Sequence, residues 1–184
     1  MSFNFETLKV DNEIELRLPE ESDAEPLFAL IDMNRRYLRE WLPWLDNNMR
    51  LEDTMQFILA DRAHYEQSQC FNALILYRHM VAGVIGYHPI DWTNRTAMVG
   101  YWLAAQYQGK GIMSRSCRAL VAYSFTRLKL NRIDIRCATG NSKSCGIPMR
   151  LGFVYEGTLR QGEWLYDHFV DLAVYGMLAQ DWKG

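Results

Sequence analysis

The sequence has no apolar run of about 18 residues, so no segment of it can cross a bilayer as a helix. Its first residues, MSFNFETLKVDNEIELR, lack a basic region followed by an apolar stretch, which argues against a secretory signal and makes the cytoplasm the expected location. Cysteine is sparse: Cys70, Cys117, Cys137 and Cys145 lie far apart with no CxxC pair, so they read as reduced thiols that mostly fill core. The histidines (His64, His79, His88, His168) form no HxxxH or HExxH, and no metal site is expected. An excess of basic charge is also missing. The net charge is −2, which excludes the usual electrostatic footprint for DNA or RNA and is compatible with a cationic substrate.

What is present is an ordinary globular composition, 49% apolar and 23% charged, in a 184-residue chain that suits one domain over 1–184. Alternation marks a strand at 14–18. Pro26, harmless in the first helical turn, favours Asp23 over Ser22 as the start of a short helix over PLFALID. RRYLREWLPWL, 35–45, is helical in spacing until Pro43. A helix is expected over 51–67, with Leu51, Met55, Ile58 and Leu59 on one face. Strands at 71–77 and 80–87 flank a tight turn at Arg78-His79, and another strand runs over 95–104. The helix at 112–128 carries Met113, Cys117, Leu120, Val121 and Leu128 on one stripe. A strand at 132–138, a short helix ending at Gly152, and a final hairpin of FVYEGTLR and FVDLAVYGML complete an α/β chain with a mixed sheet of six or seven strands.

The loop AAQYQGKG sits between a strand and a helix. The first turn of a helix has unpaired N–H groups and a dipole that favours anions, and Gly109 and Gly111 lack the Cβ atoms that would keep a phosphate from the backbone. A diphosphate is the natural guest. The ATP-type P-loop does not fit, because Gly111 follows Lys110 and no GxxxxG precedes it. The dinucleotide motif GxGxxG does not fit either, because Ser114 takes the place of its third glycine. Taken alone, the loop could equally be a solvated turn.

Gln106-x-x-Gly109-x-Gly111 after a strand resembles the [Q/R]xxGx[G/A] coenzyme A loop of the GNAT acetyltransferase superfamily. With VGYWLAAQYQGKGI, Asn141-x-x-Ser144, Leu151-Gly152-Phe153, Glu156-Gly157 and the early YLREWLPWL, it is similar to the ribosomal-protein N-terminal acetyltransferase (RimJ/RimL-type) branch, from about residue 14 through 177. The resemblance implies an acetyl-CoA-dependent transferase whose mostly antiparallel sheet splays between its fourth and fifth strands, those at 95–104 and 132–138. Pantetheine would enter that V along the backbone of Gly100, Tyr101, Trp102 and Leu103. The backbone amides of Gln108, Gly109, Lys110, Gly111 and Ile112 would hold the diphosphate, with Met113 beside them. Gln106 would shape the loop, Lys110 would add charge or stay solvated, and Asn141 would steady the loop or touch the cofactor arm.

Acetyl transfer needs a neutral amine, a stabilised oxyanion and a proton for the departing thiolate; an activated thioester needs no metal. The resemblance makes Ser144 the candidate proton donor, although a serine there also suits a helix N-cap. It makes Glu163 the candidate base, against a solvated strand-edge carboxylate. An α-amine taxes such a base modestly, since roughly a tenth is neutral at pH 7, against about one part in a few thousand for lysine. Cys145, a thiol at a helix start, offers a covalent alternative. Gly146 and Pro148 are unusual inside that helix. Trp41 and Trp44 are core or an apolar groove wall; Trp164 and Tyr166, with Tyr101 and Trp102, are candidates to line the acceptor groove.

The expected acceptor is the N-terminal α-amine of a protein, ribosomal by family resemblance, with an aminoglycoside, polyamine or aminoacyl-nucleotide compound as the alternative. A non-catalytic acyl-CoA-binding module is the competing class, and a homodimer is suggested by analogy only. No nucleic acid or membrane partner is expected.

Overall fold

The computed structural model describes Phe3, Phe5 and residues 7–184. Two short strands, β1 (Thr7–Lys9) and β2 (Ile14–Arg17), turn at Asp11, whose carboxylate accepts the amides of Glu13 and Ile14 at 2.8 and 2.9 Å. Then come α1 (Ala24–Leu38) and α2 (Leu51–Glu66), followed by the meander β3 (Phe71–Tyr77), β4 (Met80–Tyr87) and β5 (Thr96–Leu103). The rest is α3 (Ile112–Thr126), β6 (Arg132–Ala138), α4 (Ser142–Arg150), β7 (Val154–Leu165) and β8 (His168–Leu178). The sheet order is β1-β2-β3-β4-β5-β6-β8-β7, and only the β5–β6 pair is parallel.

Helices cover both faces. Leu27, Ile31 and Leu38 of α1 and Ile58 of α2 bury against Leu74 and Val84 on one side. On the other, Cys117, Leu120 and Val121 of α3 meet Ile85, Val99 and Ile133. The expected α3 stripe of Met113, Cys117, Leu120, Val121 and Leu128 is buried throughout. Removing that apolar surface from water, at about 25 cal/mol per Å², is what holds the layers together.

β5 and β6 pair only at Thr96↔Arg132, Ala97↔Ile133 and Met98↔Asp134, at the start of each strand. Beyond that point β5 runs on to Leu103 and β6 to Ala138 without facing each other. These are the fourth and fifth strands of the expected set, so the splay falls where the resemblance puts it.

Four elements differ from the sequence reading. The sheet has eight strands because β1, three residues without apolar alternation, also pairs. Helix α1 is continuous and stops at Leu38, well short of Pro43. There Arg35 donates to the carbonyls of Leu45 (2.9 Å) and Asn48 (2.8 Å), and Arg39 pairs with Asp46 at 2.8 Å, so the chain folds back across the helix end. The buried face of α2 is rotated: Thr54, Ile58 and Asp61 are inside, while Leu51 and Leu59 are exposed. Partnered polar groups account for the rotation. Asp61 accepts the Asn72 amide at 3.0 Å and its Nδ2 at 2.6 Å, and the Thr54 hydroxyl donates to Asn48 Oδ1 at 3.0 Å. Finally, β7 extends through Leu165, carried past two register shifts, so Glu163 and Trp164 lie on a strand.

Candidate active site

Gly109 and Gly111 adopt φ of +74° and +70°, and a Cβ built on either meets nothing within 4 Å. The left-handed backbone is therefore what requires glycine here, and it turns the loop so that α3 starts at Ile112 with open space before it. Among the described residues, the backbone amides of Gly109 to Ser114 have no protein partner, whereas that of Gln108 donates to the Ala105 carbonyl at 3.2 Å. The free set thus begins one residue later than expected. These six amides lie in the loop and first turn at the positive end of a fifteen-residue helix, a setting that favours an anion.

The loop's side chains divide. Gln108 donates to the Tyr37 hydroxyl and accepts from Lys143 Nζ at 3.0 Å, which ties α1, the loop and α4 together. Lys110 is exposed and not on the cavity lining, with its ammonium 5.8 Å from the Tyr77 ring centroid and 5.6 Å from that of Tyr107. Gln106 is exposed. The loop is held from below by buried Asn34, whose Oδ1 accepts the Ala105 amide at 2.9 Å.

The cap of α4 is Asn141, not Ser144: its Oδ1 accepts the Ser144 amide at 3.0 Å. This leaves the Ser144 hydroxyl outside the cap, against the Cys137 thiol, in a residue that lines the cleft. The Ser144 carbonyl accepts the Tyr101 hydroxyl of β5 at 3.1 Å. Burial keeps that phenol protonated, well above its ordinary pKa. Cys145 is buried, with its thiol 2.9 Å from the Cys137 sulfur and 3.5 Å from the Ala138 carbonyl, so it faces the core and not the cleft. Burial, then Cys145, push the Cys137 thiol up, and the neighbouring Ser144 hydroxyl draws it down.

A cavity of about 770 Å³ joins these parts. Tyr101, Trp102 and Leu103 line it from β5, and Gly109, Gly111, Ile112 and Met113 from the loop and α3. Asn141 and Ser144 line it from the start of α4, and Trp41 from the α1–α2 connection. Gly100 is not on the lining; a Cβ there would meet His88 Nε2 at 2.9 Å.

Sequence reasoning missed Tyr37, Lys143, Ser114 and Arg150, which also line the cavity. Arg150 reaches from α4 to Ser114 Oγ at 3.4 Å, placing a cation beside the free amides. Gly146 leaves it room, since a Cβ there would stand 2.8 Å from Arg150 Nη1. The signal available was a basic residue eight positions after Ser142, and it says nothing until α4 is placed against α3.

The remaining predicted residues lie outside the cavity lining. Trp44 packs beside Trp102 at 6.4 Å between centroids. Trp164 is exposed and meets Phe169 edge-on at 4.7 Å. Tyr166 donates to the Leu42 carbonyl and takes the Arg39 guanidinium 3.8 Å over its ring, so it anchors the hairpin to the loop that carries Trp41. Glu163 is half-buried on the same hairpin, paired in register with Val170, and burial pushes its carboxyl up from the usual range.

The residues lining the cavity are of the kinds a pyrophosphate-bearing thioester needs: unpaired backbone amides with Arg150 beside them, apolar side chains of β5, and the hydroxyl-bearing Ser144. The sequence pattern of the acetyltransferase (GNAT) domain matches residues 13–154. YdaF of Bacillus subtilis (strain 168) is 38% identical over 179 residues, 97% of this chain and 98% of that protein. The ribosomal-protein-serine acetyltransferase of Escherichia coli (strain K12) is 32% identical over 173 residues, 94% of this chain and 97% of its own. Among solved structures, RimL, the ribosomal L7/L12 α-N-protein acetyltransferase in complex with coenzyme A, aligns with a TM-score of 0.91 at 29% identity, covering 94% of this chain and 98% of that one. A match that spans nearly the whole chain and the splayed sheet alike makes this protein a member of the GNAT acetyltransferase family, with acetyl-CoA as its acetyl donor.

Proposed function

We propose that this acetyltransferase acts, as a single cytoplasmic domain over 1–184, on the N-terminal α-amine of a protein, with ribosomal proteins the favoured class. The observation that carries the reading is that one cavity is lined by three parts: the glycine loop and start of α3, whose amides from Gly109 to Ser114 lack a partner, the splayed strand β5, and Ser144. The names of the E. coli and RimL relatives support the acceptor class.

Acetyl-CoA, when bound, supplies an activated thioester. The chain does the rest. The amides and Arg150 hold the phosphate end, and the walls formed by Trp41, Trp102 and Leu103 exclude water from the arm. The Ser144 hydroxyl, released from capping by Asn141, donates a proton to the departing sulfur. Glu163, with its carboxyl raised by burial, takes the proton of the incoming α-ammonium, directly or through a bridging water, and the neutral amine so formed attacks the thioester carbonyl. It lies off the cavity lining, on the hairpin that Tyr166 docks against the Trp41 loop, and this supports a role towards the acceptor rather than the cofactor.

Ser144→Ala lowers kcat by about 10²-fold on this reading while leaving coenzyme A affinity unchanged. Thiol release from acetyl-CoA, measured over a panel of N-terminal Ser and Ala peptides and small amines, checks the acceptor. Turnover confined to the small amines would overturn the α-amine assignment, and binding without any turnover would point to a non-catalytic module. Mass spectrometry of ribosomal-protein termini from cells with and without the enzyme identifies the natural target.

A further inference from the structure

Helix α4 contains a residue that no helix favours. Pro148 sits inside it, buried, and costs a backbone donor. In α-helical pairing the amide of residue 148 would donate to the carbonyl of residue 144. Proline has no amide hydrogen, so the Ser144 carbonyl loses its helical partner. That is the carbonyl to which the Tyr101 hydroxyl donates, at 3.1 Å.

The two facts meet at a functional place. Tyr101 is on β5 beyond Met98, its last residue paired with β6, on the stretch that has separated from it. Ser144 is on α4, the opposite wall of the cavity. The hydrogen bond therefore crosses the cleft. Its donor is fixed by burial in a strand; its acceptor is the backbone of the residue whose hydroxyl faces the cofactor sulfur in the proposed mechanism. Asn141 holds the amide of the same residue at 3.0 Å. Ser144 is thus gripped at both its N–H and its C=O by side chains from outside the helical ladder.

The geometry points to Tyr101 as a positioning residue for Ser144, with Pro148 as the feature that leaves the Ser144 carbonyl available to it. This inference rests on the reading of Ser144 as proton donor. A carbonyl without its helical partner, in a partly buried setting, costs about 1–3 kcal/mol if it is left unsatisfied, which corresponds to roughly a 5- to 150-fold effect. Losing the tie lets Ser144 drift from the sulfur without touching the phosphate site, so the effect falls on kcat and not on coenzyme A binding.

The test is a set of cycles built on the conservative change Tyr101→Phe, with kcat, acetyl-CoA KM and melting temperature measured for each variant. In the otherwise unchanged protein, Tyr101→Phe lowers kcat about tenfold and shifts KM by less than about twofold. In the Ser144→Ala background it costs nothing further, because the group it positions is gone. In the Pro148→Ala background, where an amide at 148 can serve the carbonyl, the loss shrinks to under about threefold. The same loss in all three backgrounds would overturn the positioning role while leaving Ser144 as donor. A Ser144→Ala enzyme with unchanged kcat would instead sink the donor reading and this inference together. If Tyr101→Phe alone folds poorly, the Tyr101→Phe/Pro148→Ala protein decides. Recovery of stability and most of kcat supports the tie, and failure to recover either overturns it.

Discussion

At the scale of single residues, the site separates groups whose chemistry is free from groups already committed. The Ser144 hydroxyl is not used for capping, which Asn141 does, and instead lies against the Cys137 thiol, while the exposed Lys110 rests its ammonium near Tyr77 and Tyr107. Glu163 is the informative case. Its carboxyl is pushed up by burial alone, so folding favours its protonated form. The sign follows: whatever Glu163 contributes to stability is fully present below its unfolded pKa and is lost as pH rises through the higher folded value. Catalysis needs the opposite state, the carboxylate. Glu163→Gln is therefore expected to lower kcat/KM by about 10²-fold while holding or raising the melting temperature at neutral pH. The acid limb of the kcat/KM profile of the unaltered enzyme should fall above the usual carboxylate range. A variant with full activity and an unmoved acid limb would remove Glu163 from the mechanism.

At the scale of elements, α3 and α4 carry the proposed site, and the glycines at the N-cap of α3 and inside α4 have separate reasons. Gly111→Ala puts a side chain into left-handed backbone at φ +70°, a strain of about 1–2 kcal/mol. The altered loop also disturbs the free amides, so acetyl-CoA KM is expected to rise about tenfold, checked by initial rates and thermal melts together. Gly146→Ala should act in the opposite sense on stability. It gains up to about 1 kcal/mol of helix propensity, yet its Cβ displaces Arg150, 2.8 Å away, from its place beside Ser114. Coenzyme A affinity should then fall several-fold, as in Arg150→Ala, with the difference narrowing at high salt. Elements whose pattern is carried by apolar periodicity were legible in the sequence. The α3 stripe, the β3–β4 turn at Arg78 and His79 with φ of 50° and 66°, and the glycine loop all appear where expected. What was not legible depends on distant partners. The face of α2 is set by Asp61 reaching Asn72, the end of α1 by Arg35 reaching Leu45 and Asn48, and the contribution of Arg150 by α4 lying across α3. No local pattern encodes such pairings, and Pro148, which looked like a defect in a helix, acquires a reason only once Tyr101 stands opposite it.

At the scale of the whole molecule, the sheet is continuous but weakly closed at its centre. β5 and β6 share only three register pairs before they part. Past that point the walls are joined by side-chain ties: Tyr101 to Ser144, and Tyr37 through Gln108 to Lys143. A cavity of about 770 Å³ lies between them. On the proposed reading its guest touches β5, the start of α3 and the start of α4 together, and the unfolded chain offers no such site, so binding stabilises the native state by mass action. At a concentration about one hundred times Kd the gain is about 2.7 kcal/mol. For a chain of this length that corresponds to a rise in melting temperature of about 5–10 °C. Because the stabilisation acts across the V, amide exchange should slow at 109–114, where coenzyme A is held, and also at 141–144 on the opposite wall. Gly111→Ala and Arg150→Ala should show a reduced thermal shift at the same coenzyme A concentration, since they weaken the grip on the phosphates. Ser144→Ala should retain the full shift, because its hydroxyl acts on the sulfur during transfer and adds little to binding. A thermal shift lost in Ser144→Ala but kept in Gly111→Ala would place the pyrophosphate elsewhere and reverse the orientation of the cofactor derived from the free amides.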